Sequence, residues 1–398
     1  MKILHVIPRY PPAIGGAEQW CQGVARWQAG HGDDVDVLTL CAVQEDEVWG
    51  DGAGAPASLA VGPDDDDGGV RVHRCALAAP AGPALTGLLG RSGLLALARA
   101  HSPELYGRLY AAARRADVVH AHCLPGPHVY AAWMAARAAR RPAALTPHFH
   151  AGDAWFEHRL VRSLLRRMDV VFADSRAEAD ALAARGVAPE RVVVTMTAID
   201  PPPSLDVDAA RASVRAALHV PTDAPLLVFL GRKSGSKSID VLFDAMDRLR
   251  HGPHPVLAVA GPATSWYRGL LAERPREHVR EVPVLSPAAK AALLAAADVL
   301  VLPSAREAFG IVFLEAWAAG LPVIGADIPA VREVVGEGGL LFRPGDADAL
   351  AARIDEIVGN PARARALAAN GRARLWREHT WDHLGALVSA GYARIVRR

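Results

Sequence analysis

The sequence predicts an α/β protein of two doubly wound, Rossmann-like domains, each built on a parallel sheet. Two observations carry that expectation. Short runs of Val, Ile and Leu, continuous rather than alternating, recur along all 398 residues, as strands covered on both faces require. Longer Ala/Arg/Leu stretches of helical period separate them, the alternation of parallel sheets covered by helices.

The first-half strands are expected at 2–7, 35–40, 117–121, 143–146, 169–173 and 191–195, with helices at 16–29, 128–140, 155–167 and 175–185. The second-half strands are expected at 226–230, 255–260, 298–302 and 321–325. Their helices fall at 239–250, 287–296, 311–319, 346–358 and 361–377. Three consecutive prolines in TAIDPPPSLD (197–206) stop helix and strand alike. They separate a first domain, 1–200, from a second, 201–380. A last helix, about 381–397, follows REHTW and is expected to pack back towards the first domain, taking 381–398 with it. MDVVFADS (168–175) and ADVLVLPS (297–304) echo one another as Asp-led apolar strands ending near a serine. Residues 45–69, rich in Gly, Asp, Pro and Ala, read as a long loop or disordered insert.

Composition narrows the function. Lys+Arg 44 against Asp+Glu 43 leaves a net charge of +1, so no whole-protein field attracts nucleic acid. Cys21, Cys41, Cys75 and Cys123 are scattered and read as reduced thiols of a cytoplasmic protein. No apolar stretch is long enough to span a membrane. MKILHVIPRYPP reads as a first strand rather than a signal peptide. Nothing points to a particular oligomeric state. Only Lys2, Lys233, Lys237 and Lys290 are lysines. Two of them lie in GRKSGSKS (231–238), directly after the apolar run LLVFL. A glycine-rich loop after a strand suits a phosphate, but a nucleoside-triphosphate P-loop needs a second glycine where Ser236 stands.

In parallel sheets ligands gather beyond the carboxyl ends of the strands, and with two such domains the expected site is a cleft between them. Gly15 and Gly16 precede a helix whose amides suit an anion such as a diphosphate, with Glu18 in its first turn. His148 and His150 follow the fourth strand in TPHFHAGD, and His120 and His122 form a further pair in VVHAH. No carboxylate sits among these histidines at the spacing of a metal site, so no metal is assigned to them. The densest stretch is PSAREAFGIVFLEAWAAGLPVIG (303–325). There Glu307 stands in a loop beside the amides of Ala308, Phe309 and Gly310, and Glu315 lies about one and a half turns inside the next helix. One ligand part would bond Glu307, a diol on another part Glu315, and oxygens of a third part the amides. Sugar, ribose and diphosphate make such a ligand.

These pieces resemble a family-4 retaining glycosyltransferase of the GT-B fold. The match runs through Gly15-Gly16, VVHAH, LTPHFH, GRKSGSKS, the two glutamates with seven residues between them, and the C-terminal Trp-bearing helix, in that order. The resemblance implies that Arg232 and Lys237 grip the donor's diphosphate, and that Gly16 approaches the phosphates from the first domain. It implies that Glu307 and His148 lie near the transferred sugar and Glu315 on the ribose. It implies a nucleoside-diphosphate sugar donor, UDP before GDP, a hydroxyl acceptor, no cofactor and no metal. Fixed cations stabilise the charge that develops on a leaving phosphate, as such a reaction demands. The run Asp64–Asp67 reads as a solvated loop rather than a metal motif. Three positions depart from the family pattern. Ser238 stands where the family usually has glycine, TAID replaces Asn-Gly-Ile/Val-Asp at the hinge, and VPVLSP (282–287) lacks the usual glycine near the base. The alternatives are a GT-B phosphorylase and, on GRKSGSKS alone, a P-loop hydrolase.

The acceptor belongs to the first domain. His150, Glu18 and Arg159 are its candidate contacts. EHRLVRSLLRRMD (157–169) places Arg159, Arg162, Arg166 and Arg167 among leucines at helical spacing. It reads as a core helix with a solvated basic face, or as a dock for an anionic membrane or a phosphorylated or lipid-linked acceptor. Trp20, Trp27, Trp133 and Trp155 read mostly as core.

Overall fold

The computed structural model describes residues 1–42, 64–77, 102–149, 154–250, 254–274 and 276–396. The chain forms two compact units, Met1–Ala198 with Trp381–Arg398, and Ile199–Thr380.

The first unit runs β1 (Lys2–Val6), α1 (Gly16–Gly30), β2 (Asp34–Leu40), β3 (Asp64–Asp66), β4 (Arg71–Cys75), α2 (Pro103–Arg115), β5 (Val118–His122) and α3 (Pro127–Ala138). It continues with β6 (Ala143–Thr146), α4 (Arg159–Leu165), β7 (Val170–Ala173), α5 (Arg176–Ala183) and β8 (Val192–Val194). The sheet order is β3-β4-β2-β1-β5-β6-β7-β8. Every pairing is parallel except β3 with β4.

The second unit opens with α6 (Val207–Ala217), β9 (Leu226–Leu230), α7 (Ile239–Met246), β10 (Val256–Ala260), α8 (Ser265–Glu273), β11 (Val279–Val282) and α9 (Pro287–Ala296). Then follow β12 (Val299–Leu302), α10 (Ile311–Ala318), β13 (Val323–Ala326), α11 (Pro329–Val335), β14 (Gly339–Phe342), α12 (Ala347–Gly359) and α13 (Pro361–Glu378). Its sheet order is β11-β10-β9-β12-β13-β14, parallel throughout. The chain moves outward from β9 to β11, then returns to β12 on the other side of β9. The loops after β9 and β12 therefore part at a topological switch point, where a doubly wound sheet opens a crevice. The first unit has the same reversal between β1 and β5.

The closing helix, α14 (Trp381–Val396), belongs to the first unit. Two glycines let it lie close. A Cβ on Gly23 would fall 2.0 Å from the Trp381 ring, and one on Gly385 2.2 Å from Trp27. Trp27 Nε1 donates to Asp382 Oδ1 at 2.8 Å.

The Asp-led echo has a physical reason. Asp169 Oδ2 accepts from the amide of Ala143 at 2.8 Å, tying the start of β7 to that of β6. Asp298 Oδ2 accepts from Leu226 at 2.7 Å and ties β12 to β9. Asp117 Oδ2 does the same for Lys2, at 2.8 Å, between β5 and β1. In each case the carboxylate satisfies an amide that the ladder leaves open at the sheet's rim.

Some expectations are corrected. Residues 155–167 are not one helix: a short 3₁₀ turn covers Ala154–Glu157, and α4 starts only at Arg159. His158 between them is extended, and its ring accepts from the amide of Leu160 at 3.3 Å. Asp64–Asp66 is exposed, as expected, but it is not a loop. Asp64–Asp66 forms β3, and Asp67 accepts from Tyr10, Gln22 and Arg26. The rest of the expected insert, up to residue 63, lies outside the described residues.

Candidate active site

Four loops leave the carboxyl ends of β9, β10, β11 and β12 in the second unit. The loop after β9 turns sharply: Gly231 has φ +150°, and its amide donates to Ala260 O at 3.0 Å. Lys233 then bridges to Ala263 in the loop after β10. A 3₁₀ turn, Gly235–Lys237, leads into α7 through Ser238, whose φ of 52° and ψ of 42° are left-handed. Only glycine enters that region without strain, at a saving of about 1–2 kcal/mol, partly offset by its greater freedom when unfolded. The Ser238 hydroxyl makes no capping bond in return. Ser238→Gly should therefore raise the melting temperature, by about 0.5–1 kcal/mol of stability. A lower melting temperature would show that the hydroxyl holds the loop.

The two lysines of GRKSGSKS have different fates. Lys233 is 2 % exposed. Its ammonium lies 5.2 Å from the centroid of the Tyr267 ring and 3.7 Å from Glu281. Burial lowers its pKa, with Glu281 opposing. It braces the loop from beneath. Lys237 stays at the surface of the site, 24 % exposed, and donates to Glu307 Oε1 at 2.5 Å, where the Glu307 side chain is 8 % exposed. The loops on either side of the switch point are thus closed by one ion pair. Arg232 stands half-buried next to Gly231.

After Glu307, Phe309 is buried with its ring 5.6 Å from that of His379. Gly310 takes φ +90° at the start of α10, where a Cβ would meet Phe313 at 2.7 Å. The half-buried Ala308 and Gly310 flank it. Within α10, Phe313, Leu314, Ala316 and Trp317 are fully buried. Glu315 lies among them and is not alone: Lys290, in the first turn of α9, donates to its Oε1. Lys290 is the residue that reading the sequence missed. Its one signal was membership among four lysines, three of which the fold places against glutamates in this unit.

The first unit carries a different cluster at its own switch point. His5 of β1 and His120 of β5 are register partners, and His122 lies two residues on. With His5 Nε2 donating to Gln28 Oε1 at 2.8 Å, His5 Nδ1 accepts from His122 Nε2 at 2.9 Å. His120 sits between Thr146 Oγ1 at 2.8 Å and the Tyr392 hydroxyl at 2.6 Å, which joins α14 to β5. His128 Nε2 donates to the carbonyl of His122 at 2.6 Å. This pattern closes with every ring neutral. Burial drives the pKa of His5 and of His128 down to about 4, and those of His120 and His122 well below the usual value. The ligating atoms of His5, His120 and His122 lie within 4.8 Å of one another. A metal there would have to displace hydrogen bonds that both ring nitrogens of His5 and of His120 already make.

His148 follows β6 at φ +49°. Its Nδ1 donates to Asp174 Oδ2 at 2.7 Å. The buried carboxylate of Glu178 holds this strained turn. It accepts from the amide of Phe149 at 2.7 Å and from that of Asp174 at 2.5 Å. Burial raises its pKa, and the charge of Asp174 adds to the rise. Asp174 and Glu178 are further residues that the sequence reading did not single out. Glu18 is buried under Gly15, 2.5 Å from Arg9. A Cβ on Gly15 would fall 2.0 Å from the Glu18 carboxylate. Arg159 is exposed at the start of α4, a helix that buries Val161, Leu164 and Leu165. His150 lies outside the described residues, as does the side chain of Trp155. Trp20 is core, at 0 % exposure.

Comparison with known proteins bears on this geometry. The model of the glycosyl transferase 4-like domain matches residues 15–196, and that of glycosyl transferases group 1 matches residues 210–374. A D-inositol 3-phosphate glycosyltransferase of Xylanimonas cellulosilytica is 32 % identical over 310 residues, 71 % of this chain and 73 % of that one. The chain belongs to the family-4-type GT-B glycosyltransferases. A second relative of this glycosyltransferase, the D-inositol 3-phosphate glycosyltransferase of Jonesia denitrificans, is 28 % identical over 99 % of this chain and 95 % of its own. The structure of Anabaena Alr3699/HepE in complex with UDP and glucose superposes with a TM-score of 0.76 at 20 % identity, over 99 % of each chain. That likeness fixes the fold as GT-B. A P-loop hydrolase is excluded by family, and GRKSGSKS is a glycosyltransferase loop. Among the described residues no helix is long and apolar enough to cross a membrane.

Proposed function

We propose that this glycosyltransferase moves a sugar, with retention and without a metal, from a nucleoside-diphosphate sugar to an acceptor hydroxyl. A UDP-sugar is favoured over a GDP-sugar. The observation that carries the reading is the Lys237–Glu307 pair, which joins the two loops of the switch point at 2.5 Å. Donor binding would turn the ammonium from Glu307 to the diphosphate, joined by Arg232, and release the carboxylate to accept from sugar hydroxyls. Amides of Ala308, Phe309 and Gly310 would take further ligand oxygens, and Glu315 the ribose diol. The resemblance's roles for the first unit, Gly15 and Gly16 for phosphate and His148 for the sugar, are proposed with it.

In the reaction the bond from the anomeric carbon to phosphate breaks, and its electron pair goes to the phosphate oxygen. The acceptor oxygen bonds to the same face of that carbon, and its proton passes to the departing phosphate. Arg232 and Lys237 stabilise the charge that develops there. Their cations supply what a divalent ion would otherwise provide. Relatives named D-inositol 3-phosphate glycosyltransferase make a phosphorylated cyclitol the first acceptor to try, ahead of glycan, lipid-linked and small natural-product hydroxyls. A cytoplasmic place is proposed with it, and attachment to the membrane's inner face would run through the basic outer side of α4.

Titration calorimetry in EDTA with UDP, GDP, ADP and ATP tests the reading. One diphosphate should bind, and binding should be lost in Lys237→Ala and in Glu315→Ala. Binding that demands magnesium and ignores both substitutions would sink it. Proton NMR of the product's anomeric coupling then reads retention directly.

A further inference from the structure

We propose that Lys290 sets this site's preference for ribose over deoxyribose, by pairing with Glu315 as a joint donor and acceptor for the vicinal diol. The inference rests on the reading of Glu315 as the ribose acceptor. Lys290 is rigidly placed. Ser286 caps α9, its Oγ accepting from Ala289 at 3.3 Å. Pro287 occupies the first turn, and the Lys290 amide donates to Ser286 O at 2.9 Å. Glu315 is fixed by the buried body of α10 around it. The ammonium bonds Oε1, and the side chains are 27 % and 12 % exposed. Among the described residues nothing bonds Oε2.

The chemistry of the pair is specific. A carboxylate only accepts, and an ammonium only donates, with three N–H groups of which Oε1 takes one. A hydroxyl does both. One hydroxyl of a cis diol can donate to Oε2 while its neighbour accepts from a remaining N–H of Lys290. A glutamate alone would offer no donor, and its carboxylate would be free to rotate. Removing one hydroxyl from the ligand leaves Oε2 or an N–H of this half-buried charged pair without a hydrogen bond, which costs more than a neutral hydrogen bond.

The test is the ratio of dissociation constants for 2′-deoxy-UDP and UDP, and for 3′-deoxy-UDP and UDP, by calorimetry, or for the guanosine forms if GDP binds better. Wild-type protein should prefer the ribose by on the order of ten- to a hundredfold for at least one position. Lys290→Met should bring that ratio within about threefold of one, while Lys290→Arg should keep most of it. Affinity for inorganic pyrophosphate should stay the same in all three, because the phosphate grip lies on other loops. If Lys290→Met melts early, Lys290→Gln replaces it. Its single amide group can hold Oε1 but has little left for the diol, so an intermediate ratio is expected. A wild-type ratio that persists in Lys290→Met or Lys290→Gln overturns the role of Lys290 and leaves Glu315 standing. A wild-type protein that binds UDP but shows no ribose preference overturns the assignment of Glu315, and this inference with it.

Discussion

Lys237→Met should cut transferase turnover by on the order of 10²–10³-fold and lower stability as well, and a second substitution should separate the two losses. Removing a single group that stabilises developing charge in a closed site costs about that factor in rate. The stability loss has another origin. Without Lys237, the carboxylate of Glu307, 8 % exposed, is left without its cation. Stranding a buried charge costs about 3–5 kcal/mol. Here Lys237 is 24 % exposed, and solvent screening reduces the figure to about 2 kcal/mol. The double variant Lys237→Met/Glu307→Gln removes both charges. It should recover most of the melting temperature and none of the activity. If Lys237 were only a brace for Glu307, the double variant would be as active as Glu307→Gln alone. Initial rates and thermal melts of the two single variants and the double variant decide between these outcomes.

How much of this was legible in the sequence depends on the range of the interactions. Glu307, Glu315 and Lys237 were legible as candidates because the loops at strand ends and the helices that follow them are set by local pattern. Lys290 was not, because its partner lies 25 residues away on another helix, and no periodicity links α9 to α10. GRKSGSKS by itself leaves its two lysines equivalent, and it is the resemblance that picks Lys237. Only the fold turns Lys233 under the loop onto Tyr267 and leaves Lys237 above it. β4, with sequence RVHRC, escaped because its outward positions carry charge. Arg71 and His73 bond Asp36 of the neighbouring strand, so charge there marks cross-strand pairing, not a loop. The Asp-led strands were visible as an echo, but their cause, a carboxylate closing the next strand's first amide, needs the register. His148 was legible as a strand-end histidine, whereas Asp174 and Glu178 became meaningful only when β7 and α5 brought them against it.

The first unit should unfold when the pH falls from about 7 to 5, because its core holds neutral histidines. His5, His120, His122 and His128 are all buried, with pKa values driven down by burial, to about 4 for His5 and His128. An unfolded histidine titrates near 6.5. Between those values the unfolded chain binds protons that the folded chain refuses, so stability is complete above about 6.5 and drains away as the pH drops towards 4. For His5 and His128 the loss is about 2 kcal/mol each at pH 5, on the order of a third of a typical domain's stability between them. His120 and His122 act in the same direction. Glu178 acts in the opposite direction: its raised pKa makes protonation favour the folded state as the pH falls. It is one carboxyl against four imidazoles. Asp36 and Asp67, held low by their hydrogen bonds, lose their contribution only below about pH 4. Trp20 reports the event, since its buried ring lies 5.5 Å from His122 and 5.9 Å from His120. Melts at pH 7.5, 6.5, 5.5 and 5.0, followed by calorimetry and tryptophan emission, should show the first unit's transition moving steeply down. His128→Gln removes one of the four proton traps and should flatten that slope by about a quarter, whatever it does to the melting temperature at pH 7.5. A transition that stays level across the range would mean that these rings are protonated inside the fold, and that the neutral hydrogen-bond pattern joining β1, β5 and α14 is wrong.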